Sequence, residues 1–330
     1  MSKRELLALA MRRSGMGWMM RRLGGWNGLL VLNYHRVGDW QSSPWDKDLF
    51  SASEEDFDAQ MRFFKSEFDV VGVSDLAGIE HRRGRFVQVT FDDGYRDNHD
   101  LAFPILKAHG LSATFFICTG FLDQGSVPWW DELAWMIRGS SLDRLPGFMG
   151  VPELSLQGDA RLRAVRVIND VYDEMSDQAR VGFLDALGVV AQTGRCPADQ
   201  AAQLWMTWDM ARAMHQGGMS IGGHTLSHGE LSRFSKDEQL AEIAGSCARI
   251  EAELGTPVTT FSYPYGGKHS FNANTRLALD EAGIEHAYSY NGGYQRTGAW
   301  DKHNLKRIAV EVSVSEDLLM GMATMPRMLA

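Results

Sequence analysis

The chain has little cysteine: three thiols in 330 residues, Cys118, Cys196 and Cys247. An odd number placed so far apart matches no zinc-ligand spacing and no disulfide framework, which favours a reducing compartment and leaves all three as small core residues. A basic excess is also missing. Lys and Arg number 33 against 42 Asp and Glu, a net charge of −9. A protein that grips a phosphate backbone needs a positive footprint, so nucleic acid is not the expected partner. No apolar run approaches the ~20 residues that a membrane-crossing helix requires. No internal repeat or low-complexity tract is present. What remains, 44% hydrophobic and 23% charged, is an ordinary globular composition. The length suffices for one large α/β domain or a domain with an insertion.

One stretch runs against the acidic balance. Residues 1–25, MSKRELLALAMRRSGMGWMMRRLGG, hold Lys3, Arg4, Arg12, Arg13, Arg21 and Arg22 against Glu5 alone, a local +5. Arginine pairs break its apolar stretches, so no h-region of secretory type forms. Two readings stand side by side: a basic amphipathic helix lying on an anionic membrane surface, or a helix packed on the domain's own flank. The first carries a location with it, cytoplasmic and peripheral to the inner membrane.

From residue 29 onward, short β-rich runs alternate with helical patterns. Strands are expected at 29–35, 68–73, 86–91, 112–119, 219–224, 258–264, 285–290 and 305–312. Several are apolar almost throughout, as strands buried on both faces of a parallel sheet must be. Helices are expected between them. SASEEDFDAQMRFFKSE opens on a serine cap with acids in its first turn; PILKAHG starts at Pro104 and stops at Gly110. The stretch 235–255 repeats Leu240, Ile243, Cys247, Ile250 and Leu254 on one face and stops at Gly255. The alternation describes a parallel α/β sheet, open or closed into a barrel. From about 122 to 204 the rhythm fails and only helical patterns remain, an expected helical insertion over one end of the sheet. Trp129, Trp130 and Trp135 open it, and Trp205 and Trp208 close it. Such indoles can stack on sugar rings, and equally can pack a core.

Active sites of parallel α/β sheets gather at the C-terminal strand ends. The run 86–91 ends in Asp92-Asp93-Gly94, 219–224 ends in GGHTLSH, 258–264 leads into Tyr265-Gly266-Gly267, and 29–34 ends in His35. Adjacent carboxylates cost free energy unless compensated. His224 and His228 fall on one face for a strand or a helical turn alike. Two imidazoles and one carboxylate leave a divalent ion an open position for water. One aspartate can then ligate while the other stays free as a base for that water.

These residues resemble the NodB-homology polysaccharide deacetylases of carbohydrate esterase family 4. The first motif, TFDDG, stands as Thr90 to Gly94; the second, H[ST]xxH, as His224 to His228; the third, ending PYG, as Pro264-Tyr265-Gly266. The resemblance implies a distorted (β/α) barrel of about seven strands and metal-dependent removal of N-acetyl groups, with a place in exopolysaccharide synthesis. Carried over by position, Asp92 is the general base, Asp93, His224 and His228 bind the metal, and the backbone N–H of Tyr265 stabilises the oxyanion. Zinc leads for that donor set, with cobalt, nickel and iron compatible.

Two departures stand out. The family's third motif usually begins with an arginine that orients the base, and here that position is Ser262. The late Leu-x-His motif that supplies the acid has no match near LKRIAV. However, LNYHRV resembles the start of the circularly permuted poly-N-acetylglucosamine deacetylases, which take their acid from the first strand. His35 is therefore the expected acid, and Arg307 the expected replacement for the missing arginine. The substrate so implied is an N-acetylhexosamine-containing polysaccharide or lipid-linked glycan. Hydrolysis of an O-acetyl ester or small amide on the same fold, or non-catalytic glycan binding, are the rival readings.

Overall fold

A computed structural model describes residues 3–23 and 25–329; the side chains of Lys3, Arg12 and Arg21 in the basic arm lie outside that description. The chain divides into two compact units. The larger comprises Met1–Gly38, Asp48–Gln124 and Trp205–Ala330, the smaller Asp39–Lys47 and Gly125–Leu204.

Seven parallel strands close the larger unit into a barrel. They are β1 (Gly28–Tyr34), β2 (Arg85–Phe91), β3 (Thr114–Ile117), β4 (Ser220–Gly223), β5 (Thr260–Ser262), β6 (His286–Ser289) and β7 (Leu305–Ala309). Each pairs with the next, and β7 returns to β1 with Val31 opposite Arg307. Two short strands flank this ring: Asp69–Val70 beside the start of β2, and Gln295–Arg296 antiparallel to the start of β1.

Alternation along each strand separates two environments. Leu30, Leu32, Tyr34, Val87, Val89, Phe91, Phe115 and Ile117 join Phe57, Met61, Phe64, Leu106, Ile243 and Ile250 of the surrounding helices in the main core. The opposite parity forms a second cluster, Leu29, Val31, Phe86, Phe116, Tyr288 and Leu305, inside the barrel. Continued toward the C-terminal strand ends, this inner parity turns polar at Asn33, Thr90, Ser262 and Arg307, all buried. The barrel is apolar at its base and wired with hydrogen bonds under its mouth.

The helices begin and end where their chemistry dictates. Ser53 caps Glu54–Glu67 by accepting the Asp56 N–H at 3.1 Å. Ser235 and Glu238 cap Lys236–Leu254 reciprocally at 3.3 and 2.8 Å, and Gly255 ends it at φ 69°. The helix Phe103–His109 starts one residue before Pro104, on a π-helical turn Asn98–Ala102 that no sequence pattern announced.

The smaller unit has its own core around Leu133, Ile137, Ile168, Phe183 and Leu187, drawn from helices Trp129–Gly139, Ala160–Glu174 and Phe183–Val190. It also contains a hairpin, Arg144–Leu145 against Leu154–Ser155, where the sequence read as strand-free. Two-residue strands are too short for a period-two pattern to register. Trp205 and Trp208 belong to the larger unit. Trp205 stacks on Tyr95 and Phe121 at 4.7 and 4.4 Å, and the Trp208 indole donates to Asp123 at 2.7 Å. Trp130 is buried and Trp129 packs on Tyr172 at 4.6 Å, so these indoles are engaged in packing. In the arm, helices Lys3–Arg13 and Met16–Leu23 pack on helix Glu316–Thr324 through buried Ala8 and Met11. No helix among the described residues is long and apolar enough to cross a membrane.

Candidate active site

The barrel brings the two aspartates of β2 to its mouth and then separates them. Asp92 keeps the extended path, its N–H donating to the Tyr34 carbonyl at 3.0 Å. Asp93 adopts φ 77°, which turns its side chain away from its neighbour's, and its carbonyl accepts the Cys118 N–H at 3.2 Å. Like charges adjacent in sequence thereby face different partners. Gly94 completes the turn at φ 93°, where an added Cβ would lie 3.1 Å from Ile117 and Leu122.

Asp93 faces the two histidines. Its Oδ1 lies 3.3 Å from His224 Nε2 and 3.2 Å from His228 Nε2. Yet this buried oxygen makes no hydrogen bond of acceptable geometry. Proximity without a bond is what a shared cation would require, and the three donor atoms lie within 4.8 Å of one another. The His224 ring orientation agrees: Nδ1 donates to the Ser262 carbonyl at 2.8 Å, which turns Nε2 toward Asp93 as the atom available to a metal. Burial pushes the His228 imidazole toward its neutral form, against the pull of Asp93. For His224 burial acts the same way, but the Asp92 and Asp93 carboxylates outweigh it and raise its pKa. Burial would also raise the Asp93 carboxyl; the two imidazoles hold it well below the usual carboxylate range. The donor set therefore fits a divalent ion, and among the described residues it is the one such cluster of three.

The histidine spacing works differently from expectation. Residues 224–228 form neither strand nor helix, because Thr225 and His228 take φ 66° and 58°. Positive φ at a β-branched residue is strained, at a cost of ~1–3 kcal/mol. Local bonds compensate: the Thr225 hydroxyl donates to the His224 carbonyl at 2.5 Å and accepts the His228 N–H at 2.9 Å. Glu242 accepts the Leu226 and Ser227 N–H groups, both at 2.9 Å. Gly120 donates to the Leu226 carbonyl at 2.9 Å, and a Cβ there would sit 2.2 Å from that oxygen. Of six positive-φ residues other than glycine among those described, four are Asp93, Thr225, His228 and Tyr265. Strain is thus concentrated at the motifs.

Asp92 faces Arg307. The guanidinium clasps both carboxylate oxygens at 2.7 Å each, and both side chains are almost fully buried. It donates further to Ser289 O at 3.1 Å, Asn33 Oδ1 at 2.8 Å and Ser262 Oγ at 2.8 Å. The Ser262 hydroxyl in turn donates to Asp92 Oδ2 at 3.2 Å. Ser262, where the third motif usually has arginine, thus helps to seat an arginine that arrives from β7. Burial alone would raise the Asp92 carboxyl; Arg307, His224 and His35 override it and hold the group below its ordinary value.

His35 follows β1 and is half-buried, its ring edge-on to Tyr290 at 6.3 Å between centroids. Its backbone is held from both sides: the N–H donates to Ser51 Oγ at 3.0 Å, and the carbonyl accepts from Asn98 Nδ2 at 2.7 Å. Tyr265, partly exposed at φ 60°, leans toward His228 with ring centroids 5.6 Å apart. Sequence reasoning missed Asn33, Ser51, Asn98 and Glu242. Asn33 alone carried a signal, since it shares the inner parity of β1.

Comparison with known proteins agrees with this fold. The sequence profile of the polysaccharide deacetylases matches residues 80–142 and 170–287. The chain belongs to the polysaccharide deacetylase family. Within it the chain is of the NodB-homology type, carbohydrate esterase family 4. It is 22% identical over 199 residues to YxkH of Bacillus subtilis, described as a candidate polysaccharide deacetylase; the match spans 60% of this chain and 42% of that protein. The fold is similar to Streptococcus pyogenes deacetylase PplD, solved with acetate, at TM-score 0.59 and 20% identity, covering 89% of this chain and 98% of that one. It is also similar to IcaB from Ammonifex degensii at TM-score 0.56 and 19% identity, over 90% and 97% of the two chains. At such identities the structural likeness establishes the barrel. Site chemistry rests on the residues themselves.

Proposed function

We propose that this deacetylase hydrolyses the N-acetyl group of N-acetylhexosamine units in a polysaccharide or lipid-linked glycan. The observation that carries the reading is the division of the aspartate pair, Asp93 toward two imidazoles and Asp92 toward a buried arginine. Asp93, His224 and His228 would hold a divalent ion, zinc first for such donors, and such an ion polarises an acyl carbonyl and acidifies water. The remaining work falls to the chain. Asp92, kept ionised by Arg307, accepts a proton from the attacking water. The Tyr265 N–H donates to the developing oxyanion. His35 delivers a proton to the departing amine nitrogen, without which an amine is a poor leaving group.

Acetate release from N-acetylglucosamine oligomers by the purified protein, with metal analysis alongside, tests this. Asp92→Asn should keep one bound ion per chain while turnover falls by ~10²–10⁴. Full activity in that variant would remove Asp92 as base. Turnover of O-acetylated sugars or small amides alone would reassign the bond cleaved. Ion binding without acetate release from any substrate would leave a glycan-binding protein.

A further inference from the structure

Ten large apolar side chains stand exposed among the described residues, and five of them lie on the arm and the last helix: Leu6, Met16, Trp18, Met19 and Met328. The helices that carry them, Lys3–Arg13, Met16–Leu23 and Pro326–Leu329, all pack on helix Glu316–Thr324. Their inward sides are spoken for: Ala8, Met11, Gly17 and Leu329 are buried, and Ala8 and Leu329 both close on Gly321. The two readings of the arm are therefore compatible. One side docks on the barrel unit while the other offers apolar side chains that this chain does not cover, at 39–62% exposure.

Charge says what covers them. Arg4, Arg13 and Arg22 are exposed on the same two helices, and the Arg22 guanidinium lies 5.5 Å from the Trp18 ring centre. The acids nearby, Glu5, Glu316 and Asp317, are engaged in contacts of their own. Residues 1–25 carry +5 in a chain of −9. That polarity favours a negative partner, and a second copy of the same positive face would be repelled. Indole, thioether and arginine in alternation suit the headgroup layer of a bilayer, where the apolar group enters and the cation stays with phosphate.

We infer that this face docks on the surface of an anionic phospholipid bilayer, with the helices Lys3–Arg13 and Met16–Leu23 lying in its plane. The site is independent of the deacetylase reading, because its readout is binding. Flotation of the full chain with phosphatidylcholine vesicles, with and without ~30% phosphatidylglycerol, measures it, since such helices bind through apolar burial together with attraction to anionic lipid. Binding should require the anionic lipid and weaken severalfold between low salt and ~0.5 M salt, where screening shortens to a few ångströms. Trp18→Ser with Met19→Ser should lower partitioning about tenfold, and Arg13→Glu with Arg22→Glu on the order of 100-fold. Both pairs are exposed, so unchanged thermal unfolding would show that the fold is intact. Absence of vesicle binding, or equal binding by wild type and both variants, overturns the inference. So does a dimer in sedimentation velocity that the Trp18 and Met19 pair abolishes, since the face would then belong to a second copy.

Discussion

Replacing Arg307 by methionine asks whether this guanidinium is what keeps Asp92 a base. Methionine retains much of the apolar stem and removes the guanidinium, whose carbon lies 5.8 Å from the Phe116 ring centre. It deletes the bidentate grip on Asp92 and the bonds to Asn33, Ser262 and Ser289. Asp92, 3% exposed, would be left as a buried charge without its cation. Removing one partner of such a pair costs ~3–5 kcal/mol unless the survivor takes up a proton. The sign follows from the native shift. Arg307 lowers the Asp92 pKa, so its loss raises it, and the acid limb of kcat/KM moves to higher pH. The stability linked to a lowered carboxyl pKa is fully present above the unfolded value of ~3.9 and fades as pH falls through the native value. The stability gap between wild type and variant should accordingly be widest above the variant's raised Asp92 pKa and shrink as pH falls from there toward the lowered wild-type value. Urea unfolding across pH, with acetate release over the same range, measures both. Metal content should not change, because Asp93, His224 and His228 lie outside the deletion. An unmoved acid limb together with a stability loss below ~0.5 kcal/mol, the range of ordinary surface substitutions, would refute the reasoning.

Three further outcomes test other links. His35→Ala, and more weakly Asn98→Ala, should depress hydrolysis of N-acetyl amides far more than of aryl acetates, whose leaving group needs no proton; equal losses on both substrates would remove His35 as acid. Gly120→Ala places a Cβ 2.2 Å from the Leu226 carbonyl oxygen. It should cost ~1–3 kcal/mol of stability and weaken retention of an added divalent ion on dialysis, whereas a silent substitution would mean that the 224–228 turn is not held from that side. Gly255→Ala, at φ 69° on a helix end, should cost ~1 kcal/mol in thermal unfolding with acetate release unchanged.

Much of the barrel was legible because its signals are local. Each of the eight expected strand runs overlaps a strand of the structure, and most of these strands are apolar because they are buried on both faces. A serine cap at the start of the helix Glu54–Glu67 and the stop at Gly255 were readable for the same reason, a single residue satisfying groups within one turn. The residues of the three motifs were equally visible. Their arrangement was not: period and spacing suggested one shared face for His224 and His228, whereas positive φ at Thr225 and His228 does the aiming. Only bonds from Glu242 and Gly120, distant in sequence, show how that turn is held.

The strand alternation determined a parallel α/β sheet, and the motifs, through the family they resemble, pointed to a barrel and to the trio Asp93, His224 and His228. What holds Asp92 was decided in three dimensions. Arg307 lies 215 positions away, on a strand whose alternation indicates an inner face without naming the opposing residue. Closure of β7 onto β1 sets Val31 opposite Arg307 and lifts the guanidinium between Asn33, Ser262 and Asp92. A barrel interior is shared by all its strands, so an arginine lost from one strand can be supplied by another. The sequence offered Arg307 as the candidate replacement, and only closure of the barrel sets its guanidinium against Asp92.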